Sequence, residues 1–219
     1  MVTLTEVQKD LEVETYITQG NQYLRAMGFT EHGHRHVKLV SSIAYNILER
    51  LGSQERDREL AAIAGYLHDI GNVAGRHNHA QAGALMAFTI LRRLGMDPKE
   101  VARVVSAIGN HEEGQGRAVS PVAAALILAD KSDVHRSRVY NQDPATFDLH
   151  DRVNFAVEKS FLRVEPAKKS ITLELSIATK ISPVVEYFEI FLSRMLMCQR
   201  AALVLGCRFG LEVNGNRLL

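Results

Sequence analysis

Apolar residues recur every three or four positions from Asp10 to about Val157. This is the period of an amphipathic α-helix with one face turned toward a core. Glycines, prolines and short polar runs divide the region into segments of helix length. The pattern predicts helices near residues 11–27, 34–51, 55–69, 79–94, 97–110, 120–131 and 149–159.

The period changes from about 3.6 to two near Phe161. Apolar and polar residues alternate over 171–177 and again over 209–213, and the short segment 162–164 fits a partner strand. Between these strands, the segment 182–205 opens with Ser-Pro, a signal for the N-cap and first position of a helix.

These patterns predict a mainly α fold in two parts. Residues 1–160 are predicted to form a helical bundle domain. Residues 161–219 are predicted to form a small α+β extension with the order strand, strand, helix, strand. The extension contains no histidine and no adjacent pair of carboxylates. We therefore expect it to stabilise the fold or an oligomer and to carry no chemistry.

Composition narrows the classes of function. The chain has 219 residues, 46% of them hydrophobic, and a net charge of +1, so it gives no reason to expect a nucleic-acid or membrane partner. Its two cysteines, Cys198 and Cys207, form no Cys-x-x-Cys motif, which argues against a thiolate zinc site. The N-terminal residues lack the pattern of a signal peptide, and we expect a cytoplasmic protein.

Five residues continue the apolar stripes of the predicted helices, namely His36, His68, His79, His111 and Asp130, and Asp69 directly follows one of them, His68. An inward carboxylate needs a cation or a hydrogen-bonding partner, because an unpaired buried charge is costly. One shared metal centre would satisfy all of them. Imidazole and carboxylate without thiolate suit one or two divalent ions of Fe, Mn, Co, Ni or Zn. The predicted ligands are His36, His68, Asp69, His79, His111 and Asp130.

The order of these residues resembles that of the HD superfamily of metal-dependent phosphohydrolases. The resemblance covers roughly residues 30–140 and centres on His68-Asp69. It implies a first metal held by His36, His68, Asp69 and Asp130, and a second held by His79 and His111, with Asp69 shared. It also implies that His68 and Asp69 are essential to catalysis, and that a metal-activated water cleaves a phosphomonoester or phosphodiester, with a nucleotide as the expected substrate.

Within the superfamily, the stretch from His79 to Gly83 is similar to a helix start of the HD-GYP phosphodiesterases. Other parts of that signature are missing: Asn72 stands where they have a lysine, Asn110 stands where they have the first of two histidines, and Gly-Tyr-Pro is absent. Hydrolysis of a cyclic dinucleotide therefore has little support.

Several neighbouring residues are alternatives or additions to this set. His77 competes with His79 and Asp133 with Asp130, but in each case the second residue follows the apolar stripe better. His32 and His34 are interpreted as solvated or as supporting the ligands, and His135 and His150 as surface residues. The candidates for binding phosphate oxygens are Arg76, Lys131, Arg136 and Arg138.

Two other classes of function remain open from the sequence. The superfamily that this chain resembles includes oxygenases that use a di-iron pair on the same scaffold to cleave C–C or C–P bonds. A metal-binding signalling or interaction module without turnover is the other alternative. The alternating strands of the extension could also support a homodimer.

Overall fold

A computed structural model describes all residues, 1–219, as nine α-helices and one four-stranded sheet. The mainly α fold with a small α+β extension is confirmed, and a fourth strand that the sequence did not predict follows the third. The helices are α1 (Leu4–Gln8), α2 (Leu11–Ala26), α3 (His34–Arg50), α4 (Glu55–Leu67), α5 (His79–Arg93), α6 (Pro98–Gly109), α7 (Pro121–Ser132), α8 (Leu149–Ala156) and α9 (Val184–Val204). The strands are β1 (Val157–Glu165), β2 (Ser170–Ile177), β3 (Arg208–Val213) and β4 (Asn216–Arg217).

Helix α7 lies at the centre of the bundle. Every residue from Val122 to Ser132 is buried, and the run from Val122 to Ala129 is apolar on all sides of the helix. Ser120 caps the helix by accepting a hydrogen bond from the Ala123 amide, and Pro121 occupies the first helical position. Helices α3, α4, α6 and α9 pack around α7, so a polar side chain on α7 can meet side chains from several helices.

The extension forms a small sheet with the strand order β1-β2-β3-β4. Strands β1 and β2 are antiparallel, and β2 and β3 are parallel, with Leu173 paired to Leu162 on one side and to Leu211 on the other. Helix α9 connects the two parallel strands and packs on both the sheet and α7. The extension is therefore joined to the helical bundle through one buried face of α9.

Two element boundaries differ from the prediction. Helix α8 ends at Ala156 and β1 begins at Val157, whereas the sequence predicted a helix to residue 159. The pairing of β1 with β2 shifts register between Val157 and Lys159, so apolar and polar residues do not alternate regularly at the start of the strand. Helix α9 begins after Pro183, and the Ser182 hydroxyl donates to Glu186 instead of capping the helix.

The short helix α1, which carries a capping box between Thr3 and Glu6, was not predicted from the sequence. None of the helices is both long enough and apolar enough to span a bilayer.

Candidate metal centre

The predicted ligands lie at the ends of five helices of the bundle. His36 is in the first turn of α3, His79 is the first residue of α5, and Asp130 is in the last turn of α7. His68 directly follows α4, with Asp69 in the next turn, and His111 lies two residues after α6. Helix ends can turn side chains inward where the backbone changes direction, and the six side chains converge on one buried cluster.

Close backbone packing holds the His68-Asp69 turn against α5. A Cβ atom at Gly71 would lie 2.1 Å from the carbonyl oxygen of His79 and 2.4 Å from the amide nitrogen of Gly83. Only glycine fits there without a shift of the backbone. The glycine therefore sets the distance between the Asp69 carboxylate and the His79 imidazole.

One half of the cluster consists of His36, His68 and Asp130, whose ligand atoms lie within 4.8 Å of one another. The two imidazole Nε2 atoms are 3.2 Å apart. Asp130 Oδ1 lies 3.3 Å from Nε2 of His36 and 3.5 Å from Nε2 of His68. Asp69 Oδ2 lies 3.6 Å from both nitrogens, so four potential ligands surround one point.

The other half contains His79 and His111, whose Nε2 atoms are also 3.2 Å apart. Asp69 Oδ1 lies 3.3 Å from Nε2 of His79 and 3.9 Å from Nε2 of His111. The two oxygens of Asp69 thus face the two halves separately. This is the arrangement expected of a carboxylate shared by two ions.

The hydrogen bonds of the four imidazoles indicate which nitrogen carries the proton. Each Nδ1 faces an acceptor: Asp133 Oδ2 at 2.7 Å for His36, Gly65 O at 2.8 Å for His68, Arg76 O at 3.0 Å for His79 and Ile108 O at 2.6 Å for His111. In the neutral rings, Nδ1 would donate to these acceptors, which leaves the Nε2 lone pairs directed at the cluster. Metal-ligating histidines have this second hydrogen bond.

An unpaired carboxylate oxygen also indicates a cation. Asp69 Oδ2 is buried and accepts no hydrogen bond. A buried anionic oxygen without a partner is costly, and so are imidazole lone pairs that face each other at 3.2 Å. A divalent ion in each half would satisfy both features, so the residues fit a metal centre.

The pKa shifts of the clustered side chains also favour a bound cation. Burial opposes ionisation of Asp130, but the Lys131 ammonium, 2.7 Å away, together with the contacts to His36 and His68, outweighs it and holds the carboxylate's pKa well below its usual range. Burial lowers the pKa of His111 to about 3, so this ring is neutral at pH 7. For His36, burial is outweighed by its contacts with Asp130 and Asp133, which raise its pKa. The negative surroundings of His36 therefore favour a cation.

Asp133, the sequence alternative to Asp130, has a different position. It lies behind His36 and accepts a hydrogen bond from Nδ1 of that ring. It also forms a bidentate salt bridge with Arg35, with N–O distances of 3.2 and 2.8 Å. Burial would raise its pKa, but Arg138, with Nε 3.7 Å away, and His36 keep the carboxylate ionised. Asp133 therefore orients His36, whereas Asp130 faces the cluster.

A cavity of about 300 Å³ lies beside the cluster. Arg76 lines it and reaches to 3.7 Å from Asp69 Oδ1, and His32 lines it with its ring 5.6 Å from that of His36. Arg138 and Arg194 complete its basic wall, and Asp148 is the acidic residue there. None of the six predicted ligands lines this cavity itself, and none lines a larger cavity, of about 400 Å³, between α3 and β1.

Arg194 belongs to the extension, which the sequence predicted to carry no chemistry, and it lies at the wall of this cavity. Its guanidinium lies over the Phe191 ring and 2.8 Å from Glu113, and both α9 residues line the cavity. No local motif links Arg194 to the histidines, so it was not among the predicted site residues. Its one signal in the sequence is its position on the inner face of an amphipathic helix.

The other candidates divide between the cavity and the surface. Arg76 and Arg138 line the cavity as described, but the Lys131 ammonium is engaged by Asp130 and Glu113. Arg136 pairs with Glu158 and lies over Phe155, so the structure does not bring it to the cavity. His77 is exposed, and His34 contacts Thr18. His135 bonds to Ser137, whereas exposed His150 lies at the cavity wall.

Comparison with known proteins agrees with this geometry. The HD-domain family pattern matches residues 33–134, a range that contains all six predicted ligands. The solved structure of a predicted HD superfamily hydrolase from an uncultured Thermotogales bacterium is similar at 25% identity, over 61% of this chain and 75% of that chain, with a TM-score of 0.45. No curated protein matches the chain. On the family match and the residues it contains, residues 33–134 form an HD domain.

Proposed function

We propose that this chain is a phosphohydrolase that uses two divalent ions to cleave a phosphoester of a small molecule, with a nucleotide as the favoured class of substrate. The observation that carries the proposal is the basic cavity beside the histidine-aspartate cluster. Arginine side chains from three separate parts of the chain, Arg76, Arg138 and Arg194, line it together with His32.

Each half of the cluster would hold one ion. His36, His68 and Asp130 would bind the first, His79 and His111 the second, and Asp69 would use one oxygen for each. Bound divalent ions lower the pKa of a water molecule and neutralise charge on a phosphoryl group. The chain offers no serine-nucleophile motif or Walker loop, so water is the nucleophile that fits the site.

The arginines have separate roles in this proposal. Arg76 lies closest to Asp69 and would hold phosphate oxygens at the cluster, because a guanidinium can bind two oxygens at once. Arg138 already donates to Glu31 O and Asp133 O and would contribute charge more than direct contact. Arg194, placed over Phe191, would bind a part of the substrate farther along the cavity.

The test combines metal analysis with a substrate screen. Protein purified without oxygen should contain Fe, Mn, Co, Ni or Zn and should hydrolyse at least one member of a panel of phosphomonoesters, nucleotides and cyclic dinucleotides. Asp69→Ala should lose metal and fall below about 1% of wild-type turnover, since it removes the ligand shared by both ions. Asp57→Ala is the matched control, because the half-buried Asp57 pairs only with Arg103 and contacts no residue of the cluster.

Equal metal content in wild type and Asp69→Ala would contradict the metal centre. Loss of metal from Asp69→Ala, combined with metal-dependent oxygen consumption and no phosphate release by the wild type, would replace the hydrolase by the di-iron oxygenase.

A further inference from the structure

Helix α9 carries an exposed apolar stripe on the side away from the cavity. Val185, Leu192, Leu196 and Leu203 are 69%, 53%, 47% and 64% exposed. Their spacings of seven, four and seven residues place them on one side of the helix. The opposite face of α9, with Phe191, packs into the protein. The stripe thus has no partner within the chain.

The four apolar residues of the stripe are placed symmetrically along α9, as a contact between two identical surfaces requires. The pair Val185 and Leu203 and the pair Leu192 and Leu196 have the same midpoint, residue 194. If a second α9 lies antiparallel about a two-fold axis at this point, Val185 meets the partner's Leu203 and Leu192 meets the partner's Leu196. A patch that matches its own rotated copy is what a two-fold dimer requires.

The charges beside the stripe follow the same symmetry. Glu189 and Arg200 are both exposed, lie on the same flank of the stripe, and are not within ion-pair distance of an opposite charge in the chain. In an antiparallel pair, each flank faces the same flank of the partner. Glu189 is then within one residue of the position directly opposite the partner's Arg200. The two-fold axis repeats this contact, so the dimer contains two Glu189–Arg200 ion pairs.

We infer that the chain forms a two-fold homodimer through antiparallel pairing of α9 along Val185, Leu192, Leu196 and Leu203. The helix has 21 residues, which gives a contact of about 31 Å along its axis. Apolar side chains at the centre, with charged residues at the rim, match the composition of protein interfaces. Phe191 and Arg194 remain on the inner face of α9, so the cavity is left open by this contact.

Sedimentation velocity of the full chain over a wide range of concentration tests the dimer. The wild type should sediment with twice the 24.4 kDa mass of one chain. Leu192→Glu and Leu196→Glu should each give a monomer, because each places two carboxylates in the apolar centre of the pair. Leu85→Glu is the matched control: Leu85 is 70% exposed on α5, and its replacement should leave the mass unchanged.

Charge reversal tests the antiparallel arrangement itself. Glu189→Arg or Arg200→Glu alone should weaken the dimer at least about tenfold, because each puts two like-charged pairs at the rim. The double variant Glu189→Arg, Arg200→Glu should recover the wild-type dissociation constant. Circular dichroism should show unchanged helix content in every variant, since all the changed side chains are exposed.

A wild type that stays monomeric at every concentration overturns the inference, as does a dimer that survives Leu192→Glu. A dimer that fails to recover in the double variant overturns the antiparallel pairing.

Discussion

At the scale of single residues, the site depends on side chains that orient the ligands as well as on the ligands. Asp133 is the clearest case, because it accepts from Nδ1 of His36 at 2.7 Å and is held in turn by Arg35. The lone pair on Nε2 of His36 is directed at the cluster only while Nδ1 carries the proton. One buried carboxylate therefore controls both the tautomer and the ring angle of a predicted ligand.

We expect Asp133→Asn to weaken binding of the first ion about 10- to 100-fold while the fold is retained. An asparagine keeps the size of the side chain but removes the charge that favours the Nδ1 proton. Metal titration by isothermal calorimetry would measure the change, with Asp57→Asn as the surface control. Unchanged affinity in Asp133→Asn would show that the position of His36 does not depend on this carboxylate.

At the scale of elements, the distance between two halves of the cluster is set by backbone contact. The turn after α4 lies against the start of α5, with Gly71 facing His79 O and the Gly83 amide. A side chain there would push α5 away from the turn that carries His68 and Asp69. The glycine after the His-Asp pair is thus part of how the helices assemble the site.

We expect Gly71→Ala to destabilise the protein by about 1–3 kcal/mol or more and to reduce metal content, because its Cβ would overlap backbone atoms that cannot move independently. Gly109→Ala is the matched control, since the nearest atom to its Cβ would be Ala84 Cβ at an ordinary 3.6 Å. Urea unfolding, together with metal analysis, would compare the two variants. Equal stability in both would mean that the turn can shift without cost.

At the scale of the whole molecule, the cluster connects helices that are distant in the sequence. His36 and Asp130 are about 90 residues apart, and their side chains meet because α3 and α7 pack together in the core. An ion bound there would stabilise the packing of these helices relative to the unfolded chain, which offers no preformed site.

We expect added metal to raise the melting temperature of protein treated with a chelator. At a free concentration about 100-fold above the dissociation constant, the gain is about 2.7 kcal/mol. For a chain of this size, that corresponds to a rise of about 5–11 °C. Differential scanning calorimetry would measure it, and Asp69→Ala should show a much smaller rise. The same rise in both proteins would place the stabilising ion outside this cluster.

The sequence alone was sufficient for features with a local cause. Helices α2 to α7 begin and end within two residues of their predicted limits, since apolar periodicity, N-caps and breakers are read over a few neighbouring positions. Five of the six candidate ligands stood out for the same reason, since each continues an apolar stripe of its own segment, and Asp69 stood out because it directly follows His68. Where the local pattern was interrupted, as at the irregularity after Val157, the prediction failed.

Only the tertiary structure decided how these segments combine. It directed the two oxygens of Asp69 toward different histidine pairs, placed Asp133 behind His36, and brought Arg194 from the extension to the cavity wall. Each of these contacts joins residues on different elements, at distances set by the packing of α3, α7 and α9 in the core. Periodicity within one segment shows which side of a helix faces inward, but the neighbour that this side meets depends on the packing of the whole chain.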